Sequence, residues 1–180
     1  MQIPRSISYS YLLQKAWPII LANASVPLLG LVDTAVIGNL GSTADLGAIA
    51  FGALIFSFVY WTFGFLRMGT TGFAAQASGA GDEPEVRAVL GRALLIATCI
   101  GVVLIAAQWP IGLAAFALLD GSAQVENVAQ EYFSIRIWGA PATLATFALM
   151  GLLIGLGKSR TLLAVQLFLN GLNAGLDILF

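Results

Sequence analysis

Asp33 stands inside an apolar run, LVDTAVIGNLG (Leu31 to Gly41). In a second apolar run, Asn170, Asn173 and Asp177 stand at i, i+3 and i+7, so a helix there carries all three on one face. These side chains offer reversible chemistry. A carboxylate in low-dielectric surroundings is costly to keep charged, so it can take up and release a proton. Carboxylate and amide oxygens together can also hold a hard cation such as Na⁺. Each feature has a plainer reading as well. Asp33 can be a packing acid beside a neighbouring donor, or lie near the outer interface. The stripe can be an interhelical hydrogen-bond ladder without a ligand. There is no histidine and one cysteine, Cys99, so His-based zinc sites and Ser-His triads cannot be assembled from this sequence. With no nucleophile–base set or metal motif, an enzyme is the reading with least support. Cys99 lies in an apolar segment and is expected to be a small buried hydrophobe.

The backbone near Asp33 is irregular. Pro18 and Pro27 each remove a helical hydrogen bond and can kink the segment, while Gly30, Gly38 and Gly41 allow flexibility or close packing. Kinks free carbonyls that can face a cavity. Pro18 can also simply occupy a first helical turn, where proline is tolerated.

The elements that must position these residues follow from composition. Of 180 residues, 59% are hydrophobic and only 9% charged. Charge this scarce cannot coat a water-soluble globule, so the outer surface must meet a lipid bilayer. The net charge of −1 gives no bulk attraction to nucleic acid. Five segments are long and apolar enough to span a membrane: 16–38, 46–78, 86–109, 128–156 and 162–180. A further apolar stretch runs from Ile111 to Leu119. The breaks between spans are short and carry turn and capping residues, as in NLGSTAD, SGAGDEPEVR, LDGSAQ and GLGKSR. The fold class is therefore an all-α integral membrane bundle of antiparallel neighbours. The second and fourth spans exceed what a bilayer requires, so they are expected to tilt or project.

Arg5 and Lys15, Arg87 and Arg92, and Lys158 and Arg160 all fall on one side of this topology. The loops opposite contain no Lys or Arg, so the N-terminus is expected in the cytoplasm of a multi-pass inner (plasma) membrane protein. Arg67 is expected to anchor or pack near the cytoplasmic interface, and Arg136 to pair with Glu131 or Tyr132. Trp17, Trp109 and Trp138 lie near span ends, as interfacial aromatics do. GLLIGLGKSR is not a phosphate-binding loop, because Leu152 occupies a required glycine position and no strand precedes it. It reads as a helix end followed by a basic turn. Gly171 and Gly175 have the small-xxx-small spacing of close helix packing and are expected to meet a neighbouring helix, leaving the polar stripe to a cavity. The sequence ends at Phe180 inside an apolar run, and it is expected to be a fragment ending in its fifth helix.

The segments PLLGLVDTAVIGNLG, FGFLRMGTTGFAAQASGAGD and NAGLDILF resemble the N-terminal half of multidrug and toxic compound extrusion (MATE) transporters, the second resembling the DinF-like branch most specifically. The resemblance covers essentially the whole chain. It implies a fold of twelve helices in two six-helix lobes, of which residues 1–180 supply about five helices of the N-lobe and lack the C-terminal lobe. It implies secondary active efflux of small organic, often cationic, compounds in exchange for H⁺ or Na⁺, with no other cofactor. Asp33, Asn173 and Asp177 match the family's N-lobe cation and proton-coupling residues, and Pro18 matches a proline associated with bending of the first helix. Asn170 and Thr34 are the candidates for lining the substrate cavity. The DinF-like look favours H⁺, with Na⁺ at Asp33, Asn173 and Asp177 as the alternative. Two other readings stay open: a lipid-linked oligosaccharide flippase of the same superfamily, which would be expected to bring more cavity cations than Arg67 and Arg136, and a non-transporting membrane fragment.

Overall fold

A computed structural model describes residues 9–10, 12–14, 16–25, 43–118 and 123–179, and every regular element among them is helical. The helices are α1 (16–25), α2 (Thr43–Thr62), α3 (Phe65–Gly79), α4 (Glu83–Ala106), α5 (Gln108–Leu118), α6 (Ala123–Arg136), α7 (Ala140–Gly155) and α8 (Ser159–Leu179). They fall into two compact units. One comprises Met1–Val36 with Gly157–Phe180, and the other Ile37–Leu156.

In the larger unit, three stretches are long and apolar enough to cross a membrane: Ile49–Gly79, Glu83–Ala106 and Val125–Gly155. They correspond to the second, third and fourth expected spans. The second and fourth are not single rods, however. Ile49–Gly79 is interrupted at Phe63 and Gly64, where Phe63 N–H donates to the Tyr60 carbonyl and Gly64 N–H to the Trp61 carbonyl, both in the tighter i→i−3 pattern. Val125–Gly155 is interrupted by a 3₁₀ turn, Ile137–Gly139. Pro141 follows in the first turn of α7; it has no N–H to return to the Ile137 carbonyl, so the α-helical ladder cannot run through. The surplus length is therefore absorbed by two breaks as well as by any tilt.

The packing of this unit depends on close backbone approach. A Cβ at Gly101 in α4 would lie 2.5 Å from Pro141 Cα, and one at Gly151 in α7 would lie 2.5 Å from the Arg67 carbonyl oxygen in α3. One turn on, a Cβ at Gly155 would meet the Thr71 carbonyl oxygen at 2.7 Å. The Thr71 hydroxyl fills the same contact, donating to the carbonyls of Arg67 at 2.8 Å and Gly151 at 3.1 Å. Around these contacts the fully buried Ala97, Ala140, Leu144 and Ala148 complete an interior of small and branched side chains. Between α2 and α6 the interior is aromatic instead: Phe56 stacks on Phe133 at 5.3 Å and meets Tyr132 edge-on at 6.3 Å.

The SGAGDEPEVR turn folds as its residues require. Gly81 takes φ +74°, Asp82 N–H returns to the Ala77 carbonyl to close α3, and the Asp82 carboxylate accepts from Glu85 N–H at 3.0 Å to open α4. Large apolar side chains such as Phe58, Trp61, Met68 and Trp109 point outward, as a lipid-facing surface requires. Cys99 is among the exposed residues, which corrects the expectation of burial. The inward stripe of α4 is Val89, Ala93, Ala97, Gly101 and Leu104, and Cys99 lies two positions from Ala97, off that stripe.

In the smaller unit, helical residues stand on both sides of Pro18, at 12–14 and 16–25, and the Pro18 side chain is fully buried. The expected Gly171 and Gly175 contact is absent among the described residues: a Cβ at either would meet nothing within 4 Å. The close approach predicted there occurs at Gly151 and Gly155.

Candidate functional site

The turn GLGKSR places Gly157 at φ +65°, and α8 then runs from Ser159 to Leu179. Asn170 and Asn173 lie on this helix. Asn170 Oδ1 accepts from Gln166 Nε2 at 2.9 Å, and Asn170 Nδ2 donates to Ser25 Oγ at 2.8 Å. Ser25 in turn donates to the Ala22 carbonyl at 2.7 Å. A chain of four polar groups thus ties α8 to α1. Gln166 is buried and Asn170 half-buried, so in an apolar medium these bonds are held without competition from water. An Asn side chain has two N–H donors and two acceptor lone pairs. Among the described residues, the bonds to Gln166 and Ser25 use one of each.

The face is longer than the sequence reading proposed. Gln166, Asn170, Asn173 and Asp177 follow at i, i+4, i+7 and i+11. Asn173 is exposed within the described structure. Asp177 lies in the last turns of α8, with its side chain outside the described residues, and Asp33 and Thr34 are outside them altogether. Gln166 was legible as the i−4 neighbour of Asn170. Ser25, 145 positions away in sequence, carried no such signal.

In the larger unit, the Arg136 guanidinium sits 5.3 Å from the ring centres of both Phe56 and Tyr132. Of the two expected partners, Tyr132 is the one it meets; no ion pair to Glu131 forms among the described residues. Beside it the Tyr60 hydroxyl faces Thr143, whose own hydroxyl donates to the Gly139 carbonyl at 3.1 Å, so side chains cover the 3₁₀ turn. Arg67 is half-buried where α3 meets α7.

Residues 18–179 match the family model described as MatE. The chain belongs to the MatE family. MatE proteins are membrane transporters, not enzymes, and several relatives of this chain are named for multidrug resistance. It is 41% identical over 163 residues to DNA damage-inducible protein F of Escherichia coli K12, covering 91% of this chain and 36% of that protein. It is 29% identical over 148 residues to multidrug resistance protein MdtK of Edwardsiella ictaluri, covering 82% of this chain and 32% of the relative. A solved MOP superfamily transporter from Pyrococcus furiosus has the same fold, with a TM-score of 0.81 over 91% of this chain and 36% of that one, at 22% identity. This MatE chain therefore spans about a third of the length of the relatives it matches.

Proposed function

We propose that the chain works as the N-terminal part of a longer multidrug exporter, in which small organic, often cationic, compounds leave the cell as protons enter. In this reading Asp33, Asn173 and Asp177 take up the proton, and Asn170 and Thr34 line the substrate cavity. Pro18 is the point at which the first helix bends. The protein sits in the inner membrane with its N-terminus and the Lys158–Arg160 turn in the cytoplasm, which the six-to-none distribution of loop cations supports.

The observation that carries this reading is the hydrogen-bonded connection from Gln166 through Asn170 to Ser25. It joins the helix of the polar stripe to the helix of the buried proline. Neutralising Asp33 changes which hydrogen bonds its oxygens make, and a bend at Pro18 moves Ser25 relative to Asn170. Proton uptake and cavity shape are thereby linked through one set of contacts. The driving force is adequate in kind, since one charge crossing the membrane is worth about 2.3 kcal/mol per 100 mV.

The test is drug-evoked proton movement in proteoliposomes holding the longer transporter, with Asp33→Asn beside it. A lumen pH change that vanishes in the variant, at unchanged helix content, supports the reading. Undiminished efflux by Asp33→Asn overturns it. Efflux that follows a Na⁺ gradient at clamped pH replaces H⁺ by Na⁺ at the same residues.

A further inference from the structure

The start of α8 has an unbalanced positive charge. The first intrahelical bond of α8 runs from Leu162 N–H to the Lys158 carbonyl at 3.0 Å. The N–H groups of Ser159, Arg160 and Thr161 therefore have no carbonyl of their own helix to bond. The residue in the capping position is Lys158, whose side chain has no acceptor to offer them. Lys158 and Arg160 add two cations at the end where the helix dipole is already positive, and the first turn contains no acid. Neither cation makes an ion pair among the described residues.

A second, independent observation lies beside this helix end. Ser159 is only 4% exposed, and its hydroxyl has no hydrogen-bond partner among the described residues. It lines a cleft of about 340 Å³ together with Gln14, Gly157, Lys158, Arg160 and Thr161. A buried hydroxyl without a partner is costly, and buried polar groups are almost always satisfied. The cleft is also much larger than the ~30 Å³ share of a single water. Among the described residues around it, the groups without partners are donors or cations, apart from the Ser159 and Thr161 hydroxyls and the Gln14 amide, which can serve either way.

We propose that this cleft binds a phosphate oxyanion. Its oxygens accept from the Ser159 hydroxyl and from the free N–H groups of the first turn, and Lys158 and Arg160 supply the opposing charge. The ligand would be the cap that α8 lacks. The phosphate-loop signature fails in this sequence, yet a helix start, a hydroxyl and two cations suffice for the chemistry without it. Two sources bring the same group to a turn at the end of an apolar helix: the headgroup of an anionic phospholipid, and a soluble phosphate.

The experiment uses the full chain in detergent. Native mass spectrometry reads retention of phosphatidylglycerol against phosphatidylcholine, and phosphorus NMR line-broadening reads inorganic phosphate in the absence of lipid. Lys158→Gln/Arg160→Gln and Ser159→Ala are compared with the parent, with circular dichroism as the folding check. The double variant should lose roughly thirtyfold in anion binding. Ser159→Ala, which leaves all charges in place, should lose about threefold. Loss seen with phosphatidylglycerol and not with inorganic phosphate identifies the lipid headgroup; loss with inorganic phosphate identifies a soluble ligand. Binding of both probes unchanged in the double variant overturns the site. Loss in the double variant with Ser159→Ala equal to the parent also overturns it, because that is diffuse attraction to a basic surface. If the double variant does not fold, Ser159→Ala decides alone.

Discussion

The two units join their helices through different groups: backbone brought close at glycines in the larger, side-chain amides and a hydroxyl in the smaller. Between Ile37 and Leu156, threonine hydroxyls turn back onto their own helix, Thr70 donating to the Leu66 carbonyl at 2.6 Å, Thr98 to Leu94 at 2.9 Å and Thr146 to Ala142 at 2.9 Å, and Thr71 alone among those described also reaches a backbone carbonyl of another helix. Gly101, Gly151 and Gly155 there are covered by neighbouring backbone, whereas Gly69 and Gly72 meet nothing among the described residues. In the unit formed by Met1–Val36 and Gly157–Phe180, polar side chains bond to one another across helices, through Gln166, Asn170 and Ser25, and Gly171 and Gly175 meet no described residue. The first unit hides its polarity and closes its backbones together, as a scaffold does. The second joins its helices through side-chain amides and a hydroxyl, the contacts on which the proposed proton coupling rests.

The largest effect expected from breaking this contrast is in the scaffold. Gly151→Leu must displace the Arg67 carbonyl, and it should lower the unfolding free energy by about 3 kcal/mol or prevent folding, read by denaturant titration in mixed micelles. Arg136→Ala removes a cation from between two rings and should cost about 1 to 2 kcal/mol by the same titration, with Arg136→Lys losing less. A double-mutant cycle of Ser25→Ala and Asn170→Ala should give a coupling of about 0.6 kcal/mol, typical of hydrogen bonds between membrane helices. Zero coupling would detach α8 from α1 and remove the contact on which the proposed function rests. The smallest effect belongs to Gly171→Ala and Gly175→Ala, which should stay within about 0.5 kcal/mol of the parent because no described residue lies against them. A loss comparable to that at Gly151 would mean that another surface covers this face.

Much of this was legible in the sequence. GDEPE announced the start of α4, because an Asp cap, a proline at a helix start and early acids all name the same end of a helix. Pro141 could have located the break in the fourth span, since a proline inside a helical pattern removes a bond wherever it stands. The break at Phe63 and Gly64 had no comparable signal, because a glycine within an apolar run is common in membrane helices. The glycine pairs 151/155 and 171/175 have identical spacing, and spacing states only that close approach is allowed, not what approaches. Cys99 failed for a related reason: in a helix apolar all round, type does not reveal which side faces the interior. Within the candidate site, the i, i+4 pair Gln166–Asn170 was readable and Ser25 was not, since a contact across 145 positions is fixed by tertiary packing alone.

The break at Ile137–Gly139 has a consequence for how the protein is made. α6 has 14 residues and α7 has 16, or about 21 and 24 Å of helix at 1.5 Å per residue. Either is shorter than the hydrocarbon core, which is about 30 Å thick. The two halves are unequal, however: α6 carries Glu126, Glu131 and Arg136, whereas the 3₁₀ turn and α7 carry no charge. The apolar length that commits this span to lipid therefore lies in the half that leaves the ribosome last.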